Sequence, residues 1–97
     1  MANRHHAVFA ISVAADLLSM QVQNLRVYER HGLVEPARTS GGTRLYSQDD
    51  LDRLAHIRDL LAEGLNIAGI TRVLALEDEV ARLEARVAAM KQGRGRT

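Results

Sequence analysis

Residues 21–47 read QVQNLRVYERHGLVEPARTSGGTRLYS, and the first half of this segment predicts a helix with a sharp end. Apolar side chains recur at helical spacing over residues 21–31, which predicts an amphipathic helix there. Gly32 suits the left-handed position that follows a helix. Pro36 disfavours helical structure in the residue before it. The helix is therefore expected to end at about His31.

The second half of the segment predicts a β-hairpin. Residues 37–39 and 43–46 are short stretches on either side of Ser40-Gly41-Gly42. Glycines between two short strands supply the tight turn that a hairpin needs. We refer to residues 37–46 as the wing.

Another short helix is predicted immediately before residue 21. Ser12 is a residue type that caps helix N-termini, and the apolar side chains of residues 13–18 form one face behind it. Residues 19–20 interrupt this pattern. Two short helices joined by a tight turn indicate a helix-turn-helix, a motif whose second helix enters the major groove of DNA.

A third and a fourth helix are predicted after the wing. Ser47 and Asp50 have the spacing of a capping box, and the third helix that they open is expected to end before Gly64. Its buried stripe consists of Leu51, Leu54, Ile57, Leu60 and Leu61. Asn66 is expected to cap the fourth helix.

The fourth helix carries a seam of apolar residues that step by three and four in alternation. The seam consists of Val73, Leu76, Val80, Leu83, Val87 and Met90. This alternation is the a/d pattern of a coiled coil. Because a single helix cannot bury such a stripe, the seam predicts a homodimer.

The expected organisation follows from these elements. We expect a flexible N-terminal arm over residues 1–9, a winged helix-turn-helix over 10–75, a coiled-coil dimerisation helix over 76–91 and a basic flexible tail over 92–97. The fold class is mainly α, with a two-stranded wing.

Composition narrows the classes of function. A chain of 97 residues with 46% hydrophobic and 26% charged residues fits one globular domain. It contains no cysteine, which excludes disulfides and thiolate metal sites. An aromatic content of 3% argues against a stacking platform for single-stranded nucleic acid.

Charge is divided along the chain. Residues 1–46 carry five arginines and three acidic residues, whereas residues 47–90 carry five arginines and nine acidic residues. Residues 91–97 carry three basic residues and no acidic one. A polyanionic partner should therefore meet the first half or the tail. The apolar run 7–15 is interrupted by Ser12 and is much shorter than the ~20 residues of a membrane span, so we expect a cytoplasmic, nucleoid-associated protein.

The motif spacing resembles a known family. Residues 24–38 read NLRVYERHGLVEPAR, and with the wing sequence GTRLYS at 42–47 they resemble the DNA-binding domain of the MerR family. The resemblance covers residues 10 to about 90. Within the family, heat-shock repressors of the HspR type are similar over residues 11–15, 39–42 and 65–70.

The resemblance implies a fold and partners. It implies a winged helix-turn-helix whose C-terminal helix pairs antiparallel in a dimer, with double-stranded DNA as the main partner. It also implies the DnaK chaperone as a co-repressor. No cofactor and no metal are expected, because His5 and His6 lack ligand spacing with the other histidines. No enzyme is expected, because the sequence has no nucleophile or phosphate-loop motif.

The candidate DNA-binding residues lie on the second helix and the wing. Glutamine and asparagine side chains can pair with adenine in the major groove. The candidates for such base contacts are Gln21, Gln23 and Asn24. Guanidinium groups and tyrosine hydroxyls can bind phosphates. The candidates for phosphate contacts are Arg26, Arg30, Arg38, Arg44, Tyr28 and Tyr46. Solvated surface remains the alternative for the helix residues, and core packing for the two tyrosines.

These features predict a dimeric, sequence-specific transcriptional regulator, a repressor of heat-shock or chaperone genes that binds an inverted-repeat operator. One alternative is a MerR-like chaperone modulator that binds a DnaJ-type co-chaperone. Another is a MerR-type activator that distorts promoter DNA. The combination of Arg26, Arg38 and Arg44 favours DNA over a protein partner, because a protein-binding surface has no need of all three.

Overall fold

The computed structural model describes residues 3–94 of the chain, apart from the side chain of residue 94. The elements in order are β1 (Phe9–Ala10), α1 (Ile11–Leu18), α2 (Val22–Arg30), β2 (Ala37–Arg38), β3 (Arg44–Tyr46), α3 (Gln48–Ala62) and α4 (Ile67–Arg94). The mainly helical class, the helix-turn-helix and the wing agree with the sequence prediction. Residues up to 63 and residues from 64 onward form two units, which are described separately.

Helix α1 begins differently from the prediction. Its N-cap is Ala10, which is extended and makes no side-chain cap hydrogen bond. The prediction that Ser12 caps this helix is therefore wrong, because β1 leads directly into α1 and leaves Ser12 inside the first turn. The helix ends at Ser19, whose φ of 53° is left-handed. This conformation makes the tight turn between α1 and α2.

Helix α2 ends as the sequence predicts. Gly32 has a φ of +75°, a conformation that glycine adopts without steric cost. The backbone N–H of Gly32 donates to the carbonyl of Glu29, and the N–H of Leu33 donates to that of Tyr28, both over 2.9 Å. These two bonds form a Schellman motif, which satisfies carbonyls at the helix end.

The sheet has one strand more than predicted. The strand order is β1-β3-β2, and both pairs are antiparallel. Phe9 lies opposite Tyr46 in the first pair, and Arg38 lies opposite Arg44 in the second. The expected flexible arm over residues 1–9 thus differs from the structure at its end, since Phe9 pairs with β3. A two-residue strand is too short to show a periodic pattern.

Helix α3 starts with the predicted capping box. The N–H of Asp50 donates to Oγ of Ser47 over 3.1 Å, and the N–H of Ser47 donates to Oδ2 of Asp50 over 2.9 Å. The helix buries Leu51, Leu54, Ile57 and Leu60, whereas Leu61 from the predicted stripe is only half-buried. The core of this unit also takes in Ala14, Ala15, Leu18, Leu25, Tyr28, Leu33, Val34 and Tyr46.

Helix α4 is 28 residues long. Asn66 caps it as predicted, because its Oδ1 accepts a hydrogen bond of 2.8 Å from the N–H of Gly69. The helix continues to residue 94, so the first residues of the predicted flexible tail are helical, and residues 95–97 lie outside the described part. Among residues 3–94, none of the helices combines the length and the hydropathy that a membrane span requires.

Candidate nucleic-acid interface

The predicted base-contacting residues lie on the surface of α2. Gln21, Gln23 and Asn24 are exposed at the start of the helix, while Leu25 and Tyr28 face the core. Burial of one stripe of the helix leaves the opposite face to solvent. The polar side chains of the first turn are therefore free to contact another molecule.

A cavity lies between α2 and the wing. It has a volume of about 440 Å³ and is lined by Gln23, Arg26, Glu29, Arg30 and Arg44. Three arginines and one glutamate give this lining a net positive charge of two. Such a lining attracts anions, and guanidinium groups bind phosphate through paired N–H donors.

Arg38, the other arginine of the wing, is linked to the lining of this cavity through Glu29. Nη2 of Arg38 donates to Oε2 of Glu29 over 2.8 Å, and Nη1 of Arg38 donates to the carbonyl of Gly42 over 3.0 Å. Nε of Arg44 donates to Oε1 of Glu29. Each carboxylate oxygen of Glu29 therefore binds an arginine from a different strand of the wing.

The environment of Glu29 favours its ionised form. Burial raises the pKa of this carboxyl, but the hydrogen bond and charge of Arg44 and the charge of Arg38 outweigh it and hold the pKa below its ordinary value. Hydrogen bonding to Glu29 raises the pKa of Arg44 in turn. Glu29 therefore stays negative and Arg44 stays positive at neutral pH.

The two tyrosines belong to the core. Tyr46 is fully buried, and its hydroxyl is a buried group with no hydrogen-bond partner among the described residues. It cannot reach a phosphate in this conformation, so the core alternative holds for Tyr46. Tyr28 is 5% exposed, and burial raises the pKa of both hydroxyls. The ring of Tyr28 is likewise a packing group at the base of the interface.

The structure thus brings together most, but not all, of the predicted residues. One cavity is lined by four of them, Gln23, Arg26, Arg30 and Arg44. Arg38 is linked to this lining through its hydrogen bond to Glu29. Gln21 and Asn24 lie at the N-terminal end of α2. Glu29 was not predicted as a site residue. The two wing arginines, six residues apart, were the signal that an acidic partner was needed.

The acidic residues at the start of α3 have a different partner. Arg4 forms ion pairs with Asp49 and Asp52, and His5 pairs with Asp49. The N–H of Asp49 also donates to the carbonyl of Arg4 over 3.1 Å. These contacts hold residues 4–5 against α3. Within the described chain, no group of three or more metal-ligating side chains is placed to hold a metal ion.

Comparisons with known proteins identify the fold and the family. A family model described as MerR HTH family regulatory protein matches residues 9–77. A candidate HspR heat-shock protein of Streptomyces coelicolor is 48% identical over 84 residues, which is 86% of this chain and 56% of the relative. The HTH-type transcriptional regulator GlnR of Bacillus anthracis is 44% identical over 75 residues, which is 77% of this chain and 58% of that protein.

A solved structure shows the same fold. The crystal structure of HiNmlR, a MerR family regulator lacking the sensor domain and bound to promoter DNA, superposes with a TM-score of 0.62. It shares 20% identity and covers 87% of this chain and 76% of that one. The winged helix-turn-helix predicted from sequence is thereby confirmed. The chain spans little more than half the length of the curated relatives it matches. The chain belongs to the MerR family of helix-turn-helix regulatory proteins.

Proposed function

We propose that this chain binds double-stranded DNA sequence-specifically and regulates transcription. The observation that carries the proposal is the cationic cavity between α2 and the wing, lined by Arg26, Arg30 and Arg44. A phosphate held there would fix the register of α2 on the duplex, because phosphate contacts position a protein without reading sequence. The exposed side chains at the start of α2 would then lie against base edges in the major groove.

The two kinds of contact have separate consequences. The arginines supply affinity that depends on salt, because each neutralised phosphate releases counterions. Gln21, Gln23 and Asn24 supply discrimination, since each good pair with a base favours the right sequence by about 1–3 kcal/mol. Gln23 lines the cavity with the arginines and would link the two functions.

The proposed active form is a homodimer held by α4. Within the described chain, five apolar side chains of its seam are half exposed, between 49% and 60%. They are Leu76, Val80, Leu83, Val87 and Met90. Burying them against a second copy would stabilise a dimer by the hydrophobic effect. A dimer with two recognition helices requires an inverted-repeat operator.

The proposed target genes are those of heat shock and chaperones, with repression as the regulatory effect. This rests on the 48% identity to the HspR relative. The DnaK chaperone as a co-repressor partner and a cytoplasmic, nucleoid-associated location are proposed from the resemblance of residues 11–15, 39–42 and 65–70 to HspR-type repressors. GlnR is nearly as similar, so the target genes need a direct test.

The test begins with selection of duplexes from a random-sequence library by the purified protein. We expect an enriched inverted repeat, bound much more tightly than a scrambled duplex of the same composition. Placing that sequence in a reporter promoter should lower transcription. Activation would assign the chain to the promoter-distorting type, and failure to enrich any duplex while a DnaJ-type co-chaperone binds would establish the protein-binding alternative.

A further inference from the structure

Glu29 stands between two arginines that would otherwise repel each other. Arg38 and Arg44 are directly opposite in the register of β2 and β3, and like charges in this position destabilise a strand pair. Glu29 comes from α2 and binds one arginine with each carboxylate oxygen. It therefore joins α2 to both strands of the wing.

The contacts leave Arg44 able to bind an anion. Arg44 uses Nε for Glu29, so its hydrogen bond to the carboxylate does not use either terminal nitrogen. Arg44 also lines the cavity with Arg26 and Arg30. An arginine has five N–H donors in a fixed fork. The bond from Nε of Arg44 to Glu29 orients the guanidinium group, and its terminal N–H donors are not used in that bond.

The side chains of the group are partly shielded from water. Glu29 is 20% exposed, Arg44 28% and Arg38 46%. Shielding strengthens an ion pair relative to a fully exposed one. The pairs of Glu29 are therefore suited to keeping the wing in one orientation relative to α2.

Resting on the proposed DNA-binding function, we propose that Glu29 is a positioning residue that sets sequence specificity without touching DNA. It fixes the wing arginines relative to α2, so that phosphates bound by the wing place Gln23 and Asn24 at the correct bases. Preorganised supporting contacts of this kind determine how accurately a binding site is held. A carboxylate at a DNA surface would by charge alone weaken binding to every sequence, so the role proposed for Glu29 is to position the wing arginines rather than to add affinity.

The test compares Glu29→Gln with wild type on two duplexes, one enriched from a random library by wild type and one scrambled. The substitution removes a negative charge, so affinity for the scrambled duplex should stay the same or rise. Affinity for the enriched duplex should fall, lowering the ratio of the two by about tenfold, within the range expected for coupled neighbours. Glu35→Gln is the matched control, since Glu35 is exposed and the charge change is identical; it should keep the wild-type ratio.

Two further variants separate positioning from charge and from folding. Glu29→Asp keeps the charge but is too short to span both arginines, and it should lose discrimination as Glu29→Gln does. In an Arg38→Gln, Arg44→Gln background, Glu29→Gln should cause no further loss of the ratio. A merely structural role would lower affinity for both duplexes in proportion and would persist in that background.

The outcomes distinguish this inference from the proposed function. If wild type does not prefer its enriched duplex to the scrambled one, the proposed function fails and the inference fails with it. If wild type discriminates and Glu29→Gln retains the ratio, or raises both affinities equally, Glu29 is a spectator or a charge mask and only the inference is overturned.

Discussion

Nη1 of Arg58 in α3 donates a hydrogen bond of 2.8 Å to the carbonyl oxygen of Leu18, the last residue of α1. The two residues are forty positions apart in sequence. A cation at a helix C-terminus satisfies a free carbonyl and interacts favourably with the helix dipole. This bond fastens the first helix of the helix-turn-helix to the helix that supports it.

Removing this hydrogen bond should destabilise the fold without altering the candidate DNA-contacting residues. Arg58→Ala should lower the free energy of unfolding by about 1 kcal/mol, because the carbonyl of Leu18 then has no charged donor. Thermal and urea unfolding would measure it. Arg82→Ala, at an exposed position of α4, is the control and should change stability little; equal effects of both substitutions would show that the bond to Leu18 contributes nothing specific.

Charges placed on the α4 seam should separate the proposed dimer. Val80→Asp with Leu83→Asp should sediment as a monomer and lose specific DNA binding, because an unpaired buried charge costs several kcal/mol. Ala85→Asp with Ala89→Asp adds the same charge at positions of α4 outside the seam and should leave the dimer intact. A Val80, Leu83 double variant that remains dimeric would contradict the assignment of the seam.

Substitution of the wing arginines should weaken binding to all sequences. Arg38→Ala and Arg44→Ala should each reduce the slope of log K against log salt by about 0.9 for every phosphate that the variant no longer neutralises. Asn24→Ala should instead change the ranking of operator variants. Salt titrations of the arginine variants that overlay those of wild type would show that the wing does not bind the DNA backbone.

The low pKa of Glu29 makes part of the stability depend on pH. Because its folded-state pKa lies below the ordinary value of 4.5, ionised Glu29 contributes stability above that value and loses it as pH falls through the folded pKa. The stability difference between wild type and Glu29→Gln should be constant from about pH 7 to about pH 5 and shrink towards about pH 3. A difference that does not change with pH would exclude the ion pairs as its source.

Local signals in the sequence were sufficient for most of the fold. Several helix ends are formed by hydrogen bonds between residues that are close in sequence, so local spacing predicts them. Examples are the turn at Gly32, the capping box of Ser47 and Asp50, and the cap at Asn66. The prediction that Ser12 caps α1 was wrong because the first residue of α1 depends on where the preceding strand ends. The pairing of β1 with β3 determines that position. Strand pairing between distant segments has no local pattern to read.

In the candidate site, too, some features follow from local sequence and others depend on contacts between distant segments. The exposed polar residues of α2 and the wing arginines follow from helix periodicity and turn chemistry. The burial of Tyr46 and the partners of Glu29 depend on how the wing packs against α2. Such contacts are set by tertiary structure, and the sequence alone left core packing and phosphate binding equally open for the tyrosines.

The spacing of half-sites in the operator tests the central claim most directly. A dimer that presents one α2 from each subunit must bind an inverted repeat whose half-sites lie on the same face of the duplex, about one helical turn or a multiple of it apart. Footprinting should show protection of both half-sites on the enriched duplex. Insertion of about 5 base pairs between them moves one half-site to the opposite face and should abolish most of the specific affinity. Equal protection of the native and the lengthened duplex would contradict the account, because the subunits would then be binding independently.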